Sequence, residues 1–147
     1  MGLDKTDLEI LSILIANSRL SLRKIAKKSG LSAATVMNRV NKLKKSNAIK
    51  KYTLELDYDS LGYEIQSIIE VNVLKGKLFE VEKKIAIHPN VSAVYDVTGN
   101  YDVLVIAKFK TRKALDGFLK KIQTYDFVTK TKTALILNII KEEQIKV

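Results

Sequence analysis

The spacing of three small or apolar residues near the N-terminus constrains the fold of this chain more than any other feature. Ala26 lies on the second of three short helical segments, Gly30 ends that segment, and Val36 lies on the third. A small residue lets two helices cross closely, glycine permits a left-handed turn, and valine fills the angle between the helices. Ser21 and Ser32 precede the second and third helical segments as N-caps. This pattern predicts a helix-turn-helix.

The basic charge of the chain is concentrated in the same region. Residues 1–52 carry twelve lysines and arginines but three acids, a balance of +9, whereas residues 53–147 have a balance of +1. Such an asymmetry indicates one domain that binds a polyanion. On charge alone, DNA, RNA and an anionic membrane remain open.

The third helical segment, 33–46, favours double-stranded DNA. The positions predicted to point outward from it carry no acid, which suits a phosphate-lined groove. Asn38 is expected to read adenine and Thr35 a thymine methyl, while Ser32 and the N–H groups beside it hold a phosphate. Arg39 suits either a base or a phosphate, and for Asn38 simple exposure to solvent remains the alternative. The predicted DNA contacts are Arg23, Lys24, Lys27, Ser32, Ala34, Thr35, Asn38, Arg39, Lys42 and Lys45.

After this region the hydrophobic period changes from helical to alternating. Residues 49–56 predict a strand or wing, and 57–62 predict a hinge. The following segments predict the order β-α-β-β-α-β, with strands over 65–74, 91–97, 101–109 and 127–140 and helices over 77–87 and after Thr111. The predicted fold is α+β: a winged helix-turn-helix over 1–52, a strand and hinge linker over 53–63, and a ferredoxin-like domain over 64–147.

Two of the predicted strands are apolar on both sides. Val103 and Val105 point one way, whereas Leu104 and Ile106 point the other way. The last strand follows the same pattern. Because the helices of this layout cover one face of the sheet, the other face needs a second cover, and a second copy of the chain is the simplest one. The sequence therefore predicts a homodimer formed through residues 65–140.

Both halves together resemble the Lrp/AsnC (feast/famine) family of bacterial and archaeal transcription regulators. The motifs that carry the resemblance span essentially the whole chain. One departure is Asn47, where the family normally has glycine. The matching residues are Leu3-Asp4, Asp7, Ile10-Leu11, Ser32, Thr35-Val36, Arg39-Val40, Leu43, Ile49, Leu61-Gly62-Tyr63, Val94, Asp96 to Asp102, Thr131 and Thr133 to Leu137.

The resemblance implies a DNA-binding N-terminal domain and a C-terminal domain that dimerises, assembles further into tetramers or octamers, and binds a free amino acid. Backbone N–H groups near Gly99 would take a carboxylate and Asp102 an ammonium. The alternative is a tight hairpin that Asp102 caps. The implied effector residues are Thr98, Gly99, Asn100, Tyr101, Asp102, Thr131 and Thr133.

The function predicted is therefore sequence-specific transcription regulation, with an architectural, weakly specific DNA-binding protein as the alternative. A tetrapyrrole decarboxylase-like enzyme is a distant third, because the sequence has one histidine, His88, and no phosphate loop, zinc-protease motif or nucleophile elbow. No catalytic residue, cofactor or metal site is expected, and no cysteine is present.

The remaining patterns concern location. No apolar run reaches the roughly 18 residues that span a membrane, and the N-terminus lacks the layout of a signal peptide. A cytoplasmic, nucleoid-associated protein without a membrane partner is expected. The bias toward lysine and isoleucine indicates an archaeal source.

Overall fold

The computed structural model describes residues 2–147, which form two compact units. The first comprises the residues up to Glu55 together with Lys141–Val147, and the second comprises Leu56–Ile140. The units differ from the predicted domain boundaries at two points. The linker predicted over 53–63 is divided between them, and the last seven residues lie with the first unit, where Ser12 donates to the carbonyl of Val147 at 2.7 Å.

The first unit contains three helices, as the sequence predicts: α1 Lys5–Ala16, α2 Leu22–Ser29 and α3 Ala33–Lys45. Asp4, Ser21 and Ser32 cap them, each with its side chain accepting a backbone N–H. Gly30 makes the left-handed turn after α2 at φ 67°, and Asn47 occupies the same region at φ 59° after α3. The core of the unit consists of Ile10, Leu14, Ile25, Ala26, Val36, Val40 and Leu43.

The strand predicted over 49–56 does not form within the described chain. Residues 51–57 have no strand pairing. Leu54 remains 77% exposed, and Tyr52 lies under the Lys44 ammonium, 5.2 Å from Nζ to the ring centroid. The alternating pattern predicts an extended, amphipathic segment, but a strand also needs a partner, and among residues 2–147 this segment pairs with none.

The second unit has the predicted order β-α-β-β-α-β. Its four antiparallel strands lie in the order β2-β3-β1-β4, the arrangement of a ferredoxin-like sheet. The predicted last strand is too long, because strand pairing stops at Leu135 rather than Ile140. The elements are β1 Ile65–Val73, α4 Leu78–Ala86, β2 Val91–Asp96, β3 Val103–Phe109, α5 Arg112–Gln123 and β4 Val128–Leu135.

The two faces of this sheet differ in cover. Ile69, Val71, Val103 and Val105 are fully buried beneath α4 and α5. On the opposite face, which we call the open face, the register places Ile68, Leu104 and Ile106 side by side with Glu70 and Lys132. Those apolar side chains are half-buried, whereas the apolar side chains beneath the helices are fully buried.

Candidate nucleic-acid interface and ligand cavity

The start of α3 is an ordered, exposed helix end. The Ser32 Oγ accepts the N–H of Thr35 at 3.0 Å, and the two hydroxyls are 2.8 Å apart. Ala34 and Asn38 lie exposed on the following turn. The positive end of the helix dipole and the remaining N–H groups of the first turn point outward here. This end of α3 can therefore contact both a phosphate and the edges of bases.

Most of the predicted cationic contacts are exposed to solvent. Arg23, Lys24 and Lys27 lie along α2, and Lys45 lies at the end of α3. None of these four takes part in an ion pair among the described residues. They are placed as freely accessible charges, which suits contact with a phosphate backbone.

Arg39 and Lys42 are placed differently. The Arg39 Nη1 lies 2.7 Å from Asp4 Oδ2 and 2.8 Å from Asp7 Oδ1, and the Lys42 Nζ lies 3.0 Å from Asp7 Oδ2. The Asp7 side chain is fully buried, while those of Arg39 and Lys42 are 28% and 36% exposed. Both cations were predicted to point outward, and in the structure they are only partly exposed because they pair with acids of α1. A partner more than thirty residues away turns them toward α1.

The titration behaviour of this cluster follows from its contacts. Burial by itself would raise the pKa of Asp7, but hydrogen bonds from Lys42, Arg39 and the Asp4 N–H outweigh it and leave the pKa below its usual value. The hydrogen bond from Arg39 lowers the pKa of Asp4, and the same contacts raise the pKa of Arg39. Near neutral pH Asp4, Asp7 and Arg39 are therefore charged, and the ion pairs among them are intact.

A cavity of about 470 Å³ lies in the second unit, over the open face of the sheet. It is open to solvent at the loop between β2 and β3. Three of the predicted effector residues contribute to its wall, and four other residues complete it. The lining residues are Glu70, Val97, Thr98, Asn100, Tyr101, Leu104 and Lys132.

The cavity combines both signs of charge with apolar walls. Glu70 on β1 and Lys132 on β4 are cross-strand neighbours, with Oε2 and Nζ 3.8 Å apart. Their side chains are 32% and 66% exposed, so solvent screens the pair and both groups can turn to a ligand. Leu104 and Val97 supply apolar surface beside them. Such a site matches a small zwitterion that has an apolar part.

Asp102 does not line the cavity. Its Oδ2 accepts the N–H of Val73 at 2.8 Å, and its own N–H donates to the carbonyl of Val71 at 3.1 Å. The carboxylate thus ties the loop to the end of β1, which agrees with the alternative in which it caps a hairpin. Gly99 makes the turn of this loop at φ 118°.

Thr131 and Thr133 also lie away from the cavity. They pair with Val71 and Ile69, and directly opposed residues of antiparallel strands share a face. Both threonines therefore lie on the side that the helices cover, where Thr131 accepts a hydrogen bond from Gln123 on α5 at 3.1 Å. Lys132, between them, is the residue that reaches the cavity.

Sequence reasoning missed Glu70 and Lys132 as cavity residues. Alternation along a strand separates the two faces but does not say which face holds the site. The available signal was an oppositely charged pair, Glu70 and Lys132, beside the apolar Leu104 on this face. Among residues 2–147 no group of three or more acidic, histidine or cysteine side chains is placed to hold a metal ion. In the same part of the chain no helix is both long and apolar enough to cross a membrane.

Comparison with known proteins gives a consistent result for both units. A winged helix-turn-helix DNA-binding family model matches residues 3–50, and the Lrp/AsnC ligand binding domain matches residues 66–145. An uncharacterised HTH-type transcriptional regulator of Pyrococcus furiosus is 44% identical over 97% of each chain. The structure of Escherichia coli AsnC is similar over 100% of both chains, with a TM-score of 0.92 and 26% identity.

A second solved structure is that of a Neisseria meningitidis transcriptional regulator in complex with L-Met. It is similar over 97% of this chain and 94% of its own, with a TM-score of 0.89 and 26% identity.

Proposed function

Because the chain belongs to the Lrp/AsnC family of DNA-binding transcription regulators, we propose that α3 reads its operator through the exposed first half of the helix. The observation that carries this proposal is the acid-free surface of Ser32, Ala34, Thr35 and Asn38. Short polar and methyl-bearing side chains at this end of a recognition helix fit base edges in the major groove.

In this proposal the contacts to phosphate come from α2 and from the end of α3. Arg23, Lys24, Lys27 and Lys45 are exposed on either side of the reading surface. They supply attraction that does not depend on sequence, while the helix end at Ser32 fixes one phosphate by its N–H groups. Arg39 and Lys42, held at Asp7, are not assigned to phosphate.

The experiment is a competition assay with fragments selected from genomic DNA. Asn38→Ala is expected to lower the preference for a selected site over random DNA by roughly 5- to 150-fold, since a paired hydrogen bond to a base contributes about 1–3 kcal/mol of discrimination. Ser18→Ala, a truncation of an exposed side chain between α1 and α2, is the control and should leave the preference unchanged. An unaltered preference in Asn38→Ala would contradict the assignment.

We further propose that a second copy of the chain covers the open face of the sheet. Ile68, Leu104 and Ile106 form a half-buried apolar strip. Sedimentation should give a dimer at micromolar concentration, or a tetramer or octamer built from dimers. Ile106→Glu should shift the protein toward a monomer. Lys110→Glu is the control: it changes the charge by two units rather than one, at an exposed position, and should not alter the oligomeric state. A wild-type monomer would contradict this part of the proposal.

The cavity over the open face is proposed to bind a free amino acid. Lys132 would contact the ligand carboxylate, Glu70 its ammonium, and Leu104 its side chain. Calorimetry with each of the twenty amino acids should give heat for at least one. Lys132→Met should weaken that binding at least tenfold, while Lys130→Met, two residues away on the same strand face but outside the lining, should not. Heat from none of the twenty would contradict an amino-acid ligand.

The charge of the first unit also favours a second candidate, an architectural protein that binds DNA with little specificity. Such a protein would be recognised in the competition assay, because random DNA would displace the bound DNA as well as any selected fragment does. In either case the protein is proposed to work without catalysis or a cofactor, in the cytoplasm and associated with the nucleoid.

A further inference from the structure

Two of the four cations on the recognition helix are partly exposed and paired with acids of α1. α3 carries Arg39, Lys42, Lys44 and Lys45. The first two bond to the fully buried Asp7, and Arg39 also bonds to Asp4. Asp4 and Asp7 are two of the three acids in the first 52 residues. Two of the three carboxylates in this region therefore pair with cations of the proposed recognition helix.

We propose that Asp7, assisted by Asp4, withdraws Arg39 and Lys42 from contact with phosphate and so lowers the affinity for DNA of any sequence. This inference rests on the proposed role of α3 in reading DNA. By holding the two cations, the carboxylates lower the affinity for DNA of any sequence and leave the binding energy of the first half of α3 unchanged. The ratio of specific to non-specific affinity stays the same, because a phosphate contact contributes equally to both.

The geometry supports withdrawal rather than a loose surface pairing. Both oxygens of Asp7 are used, Oδ1 by Arg39 at 2.8 Å and Oδ2 by Lys42 at 3.0 Å. The Oδ2 of Asp7 also accepts the N–H of Asp4 at 3.3 Å, and Oδ1 of Asp4 accepts the N–H of Asp7 at 2.8 Å, so the capping box of α1 fixes both carboxylates. A carboxylate held by its own helix end cannot follow a cation that turns toward DNA.

The arrangement also has a purely structural consequence, because it links α1 to α3. A link of that kind predicts a loss of stability when it is broken. It predicts no change in the number of phosphates that the protein neutralises. The salt dependence of DNA binding separates the two roles, since each phosphate contact contributes about 0.9 to the slope of log Kobs against log salt concentration.

The test measures binding of the full chain to a random-sequence duplex by fluorescence anisotropy, over a series of KCl concentrations. Lys42→Gln should leave the slope unchanged, because Lys42 is held at Asp7. Lys45→Gln, an exposed cation one turn away on the same helix, should reduce the slope by about 0.9. Lys42→Gln leaves the α1 capping box and the Arg39 pair in place, so its fold should be retained; the thermal melt checks this.

The complementary variants release the cations. Asp7→Asn frees Lys42 and should steepen the slope by about 0.9, and Asp4→Asn combined with Asp7→Asn should steepen it by about 1.8. At 0.1 M salt this corresponds to roughly eightfold tighter binding to random DNA for each released cation, by the same constant. The preference for a selected site over random DNA should stay the same, because the released cations strengthen binding to both.

The outcomes are distinct. A slope that falls by about 0.9 in Lys42→Gln assigns Lys42 to phosphate and overturns the inference, as does an unchanged slope in a folded Asp7→Asn variant. If the wild-type chain shows no salt-dependent binding at all, the proposed function of α3 fails instead. Should the Asp7→Asn variant unfold, the comparison of Lys42→Gln with Lys45→Gln still decides the question.

Discussion

The turn between α2 and α3 offers a perturbation whose cost can be worked from the structure. Gly30 ends α2 at φ 67° and ψ 22°, and its N–H donates to the carbonyl of Ala26. A Cβ built at Gly30 meets no atom within 4 Å. The cost of Gly30→Ala is therefore conformational and not steric. A left-handed backbone costs an L-residue about 1–2 kcal/mol, and the free energy of unfolding should fall by that amount.

Chemical denaturation followed by circular dichroism measures this cost, and the chain offers two comparisons. Gly117→Ala lies inside α5, where a Cβ also meets nothing within 4 Å, and it should raise the free energy of unfolding by about 0.5–1 kcal/mol. Gly30→Asn should cost less than Gly30→Ala, since asparagine adopts this region, as Asn47 does. A neutral or stabilising Gly30→Ala would refute the left-handed turn and the helix-turn-helix geometry built on it.

Two further predictions concern the second unit. Asp102→Ala leaves the N–H of Val73 without its acceptor, so the free energy of unfolding should fall by about 1–3 kcal/mol. The affinity for a cavity ligand should change less than it does in Lys132→Met. A loss of ligand binding without a loss of stability would instead make Asp102 a ligand contact. Burial against Phe118 lowers the pKa of His88 below its ordinary 6.5, and the positive charge of Lys121 lowers it further. As the pH falls, the unfolded chain therefore takes up the proton before the folded chain does. Stability should thus be complete above pH 6.5 and fall as the pH drops below it, and a pH series of melts in which His88→Gln keeps the same fall would contradict this.

The sequence was most informative where the determinants of structure are local. A cap such as Ser32 acts on an N–H three residues away, and Gly30 acts on its own backbone. Both could be predicted from a few neighbouring letters. The order of elements in the second unit followed in the same way, because the period of apolar residues differs between helices and strands.

The errors arose where the partner is distant in sequence. Arg39 was predicted to face DNA because nothing on its own helix turns its side chain inward. The residue that does so is Asp7, which lies on another helix. Thr131 was assigned to the cavity in place of Lys132 because the correct choice needs the register of β4 on β1. The segment 49–56 has the composition of a strand, but pairing requires an edge that composition does not reveal.

The central claim is that this Lrp/AsnC regulator chooses its DNA through the first half of α3. The most direct measurement is the affinity of the wild-type chain for fragments selected from genomic DNA against its affinity for random DNA, at one fixed salt concentration. The account predicts that selection converges on a site bound at least about a thousandfold more tightly than random DNA. Selection that does not converge, with equal affinity for both, would contradict it.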